Sequence, residues 1–112
     1  GEPLPQQIKL DVSESDNAYI ITAEIPGVSK DAIQVTVENN VVTIGAEVKQ
    51  EDVKRDGDKV LHRERYFGAV SRTLALPGDV DETQASAKYE NGVLTLVLPK
   101  KAAVAGKRLR IE

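Results

Sequence analysis

The 112-residue chain contains no Cys, no Met and no Trp, and only one His and one Phe. Without Cys there is no disulfide, no thiol nucleophile and no thiolate metal site. A single His excludes a metal centre built from several imidazoles. No two glycines stand within three residues of each other, which removes the glycine-rich phosphate loops. No apolar run approaches the ~18 residues of a membrane span. Positive charge is not in excess either: 15 Lys and Arg face 18 Asp and Glu, a net charge of −3, the opposite of a nucleic-acid-binding footprint. The one basic stretch, Lys100-Lys101 with Lys107, Arg108 and Arg110, has no interleaved aromatics on which bases would stack.

What is present is β-branched. Val and Ile number 21 against nine Leu, and such residues favour pleated surfaces. The length suits one domain, able to bury about two-thirds of its surface. Ile8, Leu10 and Val12 alternate with Lys9 and Asp11 as a half-buried strand. Tyr19, Ile21, Ala23 and Ile25 share one face of a second strand that Pro26-Gly27 ends. Ser29-Lys30-Asp31 begins a short helical turn. Ile33, Val35 and Val37 alternate up to Asn39-Asn40, and the run to Ala46 makes the return of a tight hairpin, because Asn tolerates left-handed conformations. Val70, Leu74 and Leu76 form a further strand with Arg72 on the same face. Ala85, Ala87 and Tyr89 form a weaker one. Leu94, Leu96 and Leu98 share one side of the last, before Pro99. Seven or eight short strands and no long helix indicate an all-β, immunoglobulin-like antiparallel β-sandwich.

From Glu47 to Arg65 the alternation fails. Charge is dense, Asp56-Gly57-Asp58 marks a loop tip, and only Val60-Leu61 reads as a brief strand. A loop this long in so small a domain has a task. Chemistry is absent from it. His62 stands alone without an aligned nucleophile. Asp56 and Asp58 lack the other ligands of a calcium loop. Glu64 sits among Arg and Lys, a setting for ion pairing. Two features call for a partner. Arg72 lies on an apolar face, where a carboxylate must meet it unless twist or a bulge turns it to solvent. Leu109-Arg110-Ile111 places two apolar side chains one residue apart after a polar tether: either a frayed end or a short strand filling pockets on a sheet edge.

Four segments, in this order, resemble the α-crystallin domain of small heat-shock proteins of the bacterial and plant type. They are Ala23-Glu24-Ile25-Pro26-Gly27-Val28 with Asp31-Ala32-Ile33, the hairpin Asn39 to Ile44, His62-Arg63-Glu64-Arg65-Tyr66-Phe67-Gly68, and Tyr89-Glu90-Asn91-Gly92-Val93-Leu94-Thr95. Leu109-Arg110-Ile111 adds the tail motif, with Leu109 where Ile or Val is usual. The likeness covers residues 8–100, expected to be the domain. Residues 101–112 are expected to be a flexible C-terminal extension. The chain starts Gly1-Glu2-Pro3 without Met, so residues 1–7 are read as a remnant of the family's N-terminal arm, otherwise missing, or as a tag scar.

The resemblance implies an ATP-independent holdase chaperone, cytoplasmic, without cofactor, metal or catalysis, binding unfolding client proteins and no nucleic acid, and having no membrane span. It implies homodimers that exchange the short strand of residues 47–65, with Val60, Leu61, Glu64 and Arg72 at the interface and Arg72 paired to Glu64. It also implies larger oligomers in which Leu109 and Ile111 of one subunit fill another's groove between the family's fourth and eighth strands. Val35, Val37, Thr83, Ala85 and Ala87 would line that groove, the small Ala side chains leaving room. Two other classes of β-sandwich compete. A co-chaperone or adaptor module binding a folded partner would lack the tail motif and the exchange loop. A carbohydrate module would need aromatic platforms or paired carboxylates, and only Tyr19, Tyr66, Phe67 and Tyr89 are aromatic.

Overall fold

The structure is a computed structural model. It describes the backbone of residues 4–5, 7–57 and 59–101, and the side chains of these residues outside 50–56 and 59–66. The described residues form seven strands: β1 (Lys9–Glu14), β2 (Ala18–Glu24), β3 (Ile33–Glu38), β4 (Val41–Asp56), β5 (Lys59–Ala75), β6 (Ser86–Glu90) and β7 (Val93–Pro99). One sheet has the order β1-β2-β7-β6 and the other β3-β4-β5, every pairing antiparallel.

Period-two patterning decides which side chains meet between the sheets. Tyr19, Ile21 and Ala23 of β2 and Leu94, Leu96 and Leu98 of β7 are buried and directly cross-paired. Opposite them lie Val42, Ile44 and Ala46 of β4, also buried, and Leu76 and Val80 close the core. No polar side chain among the described residues is buried, so apolar packing fills the interior of the sandwich. The turns follow residue chemistry. Asn39 (φ 56°) and Asn91 (φ 52°) take the left-handed region that Asn tolerates. Gly92 (φ 78°) sits where an added Cβ would stand 3.2 Å from Pro26 Cα. The Tyr89 hydroxyl donates to the Ile25 carbonyl at 2.5 Å and lies 3.2 Å from that of Val28, fixing the exit from β2. The expected helical turn is a 3-10 turn over Lys30–Ala32.

Two findings depart from the sequence reading. Residues 47–65 are not a loop with one brief strand. They continue β4 and β5 into a two-stranded ribbon, paired from Glu47↔Ala69 to Asp56↔Lys59, with a register shift at Lys54/Arg55. β3 stops pairing at Ile33↔Ala46, so the ribbon runs on without a third strand. Its strands pair only with each other in the chain, so no shared three-strand face imposes a period on its sequence. The second departure is at the other end of the chain: Leu4 packs against the core and Ile8 is fully buried, so the packed structure begins before residue 8.

Candidate functional site

The sandwich leaves four outer strand edges, those of β1 and β6 in one sheet and of β3 and β5 in the other. Two sets of contacts show how these edges stack. Arg72 Nη1 on β5 donates to the Ile8 carbonyl just ahead of β1, at 2.9 Å. The Asn39 N–H at the end of β3 donates to Glu82 Oε1 at 2.9 Å, and the Val80 N–H to the Asn39 carbonyl at 3.1 Å, in the segment leading to β6. So β1 lies over β5 and β6 over β3, with an apolar interior behind each opening.

At the β3–β6 opening, Val35 and Val37 are half-buried on the inward face of β3 and pack against the core, as does Ala85. Thr83 and Ala87 are exposed. Thr83 is not a free lining group: its hydroxyl donates to Asp81 Oδ1 at 2.6 Å and its N–H to the same oxygen at 3.0 Å. These bonds shape a 3-10 turn over Glu82–Gln84. The Thr83 hydroxyl bond holds the Asp81 carboxyl below its ordinary range against the opposing effect of desolvation, with the Thr83 N–H and the Lys101 charge adding to the lowering. The start of the tail is fixed beside this turn. The Asp81 N–H donates to the Pro99 carbonyl, the Lys100 N–H to that of Asn17 and the Lys101 N–H to that of Asp79. Lys100 Nζ lies 3.2 Å from Glu14 Oε2 and 5.1 Å from the centre of the Tyr19 ring. Leu109 and Ile111 lie outside the described residues.

At the β1–β5 opening, Arg72 does share the inward face with the half-buried Val70 and Leu74, opposite Ile44. It is nevertheless exposed, and its described partner is a backbone carbonyl. The strand periodicity therefore placed it on the right face, while its position on an edge strand lets the guanidinium reach past the core. Val60, Leu61 and Glu64 lie on the β5 side of the ribbon, where Val60 pairs with Arg55 and Glu64 with Asp52; their side chains are outside the described residues. At the ribbon's root Phe67 is 64% exposed, with Lys49 Nζ 5.9 Å from its ring centre. Sequence reading passed over Leu4, whose spacing of four from Ile8 is the only signal it offered.

Open strand edges are the places where an extended peptide can add to a sheet as a further strand. The model of the Hsp20/alpha crystallin family matches residues 11–112, and the chain belongs to this family. It is similar to small heat shock protein C4 of Rickettsia felis, with 33% identity over 104 residues covering 93% of this chain and 63% of that relative. Among solved structures it is similar to heat shock protein 16.0 from Schizosaccharomyces pombe, with a TM-score of 0.67, 31% identity and coverage of 95% of this chain and 76% of that one. A small heat-shock protein from Xylella fastidiosa, described as having a distinct high order structure, gives a TM-score of 0.64 at 25% identity, covering 96% of this chain and 99% of that one. The chain spans less than two-thirds of the length of the first curated relatives it matches. No helix among the described residues is long and apolar enough to cross a membrane.

Proposed function

We propose that the chain is an ATP-independent holdase that binds unfolding proteins and delays their aggregation, assembling from dimers into larger oligomers in the cytoplasm, without catalysis. The observation that carries this is the set of open edges flanking an apolar interior. Bare edges of this kind invite uncontrolled pairing, and a protein that keeps them has a use for them. Its family, and the high order structure described for the Xylella relative, support the same reading.

The ribbon supports exchange between subunits. A two-stranded ribbon is marginal in water, and residues 47–65 gain a third strand only from another chain. Val60, Leu61, Glu64 and Arg72 are the residues assigned to that interface. Arg72 uses one N–H on Ile8 and has further donors for a carboxylate, here that of the partner's Glu64. Residues 8–100 form the domain in this account, with Leu4 packed onto it from ahead, and 101–112 the extension. Leu109 and Ile111 point to one side of an extended segment and fill the opening lined by Val35, Val37, Thr83, Ala85 and Ala87 in another subunit. The test is scattering by a heat-unfolded client such as citrate synthase, with substoichiometric chain and no nucleotide. Suppressed scattering is expected. Unsuppressed aggregation at equimolar chain contradicts the proposal, and capture of one folded protein by a monomer points instead to an adaptor module.

A further inference from the structure

The outward face of the four-stranded sheet is β-branched along its middle and charged along its sides. On the two interior strands Ile20 is cross-paired with Val97 and Thr22 with Thr95. Val93 and Val97 are 36% and 37% exposed although β7 is an interior strand. Following the register across all four strands, one row runs Asp11, Thr22, Thr95 and Lys88. The next row runs Lys9, Glu24, Val93 and Glu90. The first row is negative at its β1 end and positive at its β6 end, and the second is the reverse. These four flanking side chains are exposed, with Lys88 Nζ 3.4 Å from Glu90 Oε1. Glu24, the one charge on an interior strand of this face, stands beside Lys9.

We propose that this face is an interface between two copies of the chain, stacked about a two-fold axis that runs along the strands between β2 and β7. The charge pattern singles out that axis. The rotation lays β1 of one copy over β6 of the other and keeps each row in place. Asp11 then meets the partner's Lys88, and Lys9 meets the partner's Glu90. Ile20 falls on the partner's Val97 and Thr22 on the partner's Thr95, so the β-branched middle closes against itself. The other face-to-face rotation, about an axis across the strands, sets Asp11 against Asp11 and Lys88 against Lys88, and like charges repel. Complementarity of this kind fixes orientation more than it adds affinity. Stacked sheets lie about 10 Å apart with strands within about 30° of each other, a gap that a Lys and a carboxylate side chain together bridge. The face itself is small. Four strands about 4.8 Å apart and five residues of about 3.3 Å give roughly 19 by 17 Å, well below the about 800 Å² per partner of a standard complex. The contact is therefore weak alone and gains strength where other contacts already hold copies together.

The test is carbodiimide cross-linking of the full chain over a concentration series, read by mass spectrometry. Carbodiimide joins a carboxylate to an amine in direct contact, and a mixture of isotope-labelled and unlabelled chains separates links between copies from links within one. Links between copies are expected for Asp11 with Lys88 and for Lys9 with Glu90. Within one chain Asp11 and Lys88 stand three strand spacings apart, about 14 Å, out of reach of a direct bond. Asp11→Lys or Lys88→Asp alone makes both symmetric contacts repulsive and is expected to cut the Lys9–Glu90 link about tenfold. An equal mixture of the two variants restores it, because one then carries only positive and the other only negative charge at these two positions. Val97→Lys, which puts a charge in the middle of the face, abolishes both links; if that variant fails to fold, the two exposed reversals carry the test. Yields indifferent to the reversals, a mixture no better than either variant alone, or an absence of these links between copies overturns the interface. The interface does not rest on the holdase reading: client scattering tests that reading, and link yields test this contact.

Discussion

Asp81 accepts two hydrogen bonds from Thr83, and through them shapes the turn that borders the β3–β6 opening. Its carboxyl is held below the ordinary range, so it binds a proton less readily folded than unfolded. The stabilisation this provides is fully present above the unfolded pKa, about 3.9, and is lost as pH falls through the folded value. Asp81→Ala is thus expected to melt earlier than the parent at pH 7, and the gap in melting temperature should narrow as the pH drops below about 4. A gap independent of pH would mean that the bond adds nothing. Arg72 makes the second residue-scale prediction. On the proposed pairing with Glu64 across a dimer interface, removing either member costs about 3–5 kcal/mol, because the other charge stays desolvated. Arg72→Ala and Glu64→Ala should each weaken dimerisation to a similar extent, measured by sedimentation, with a double variant little worse than either single one. Additive effects would show that the two do not interact.

Among the elements, those with one face packed in the core were easiest to read. Tyr19, Ile21 and Ala23, and Leu94, Leu96 and Leu98, alternate in sequence because each pair of positions has one neighbour in the core and one in water. The Asn39-Asn40 turn was legible because Asn39 takes a left-handed conformation. The ribbon was not legible, since strands without a packed layer leave no period to detect and its dense charge resembles a loop. Leu4 was hidden for a different reason. It reaches the core from outside any strand, by tertiary packing that no local pattern encodes. Strand periodicity made the inward face of Arg72 legible, while its exposure in the single chain follows from the edge position of β5, which the sequence does not mark. The ribbon provides the prediction at this scale. Deleting Val53 to Leu61 leaves the three-strand pairing of Ile33–Glu38 with β4 and β5 intact. The product should be a folded monomer with the parent's far-ultraviolet circular dichroism signature of β structure. A deletion variant that still sediments as a dimer rules out exchange through the ribbon.

For the whole molecule, the account joins a sandwich to two parts proposed to seek partners: ribbon and tail. Each makes contacts that are weak singly. Leu109 and Ile111 together are worth about 3–6 kcal/mol of burial before ordering costs, and the tether from Lys101 spans up to ~30 Å when extended. Leu109→Ala with Ile111→Ala is expected to shift the mass distribution toward dimers across a concentration series; an unchanged distribution would leave the motif without a role in assembly. The central claim is that open edges, not outward sheet faces, hold unfolding proteins without nucleotide. Amide hydrogen exchange of the chain, free and in complex with a heat-unfolded client, tests it most directly. The account predicts slowed exchange along β1, the outer edge of β5, β3 and β6, with the amides of β2 and β7 unchanged. Protection spread evenly over the outward faces, or none at all in a complex that has formed, would contradict it.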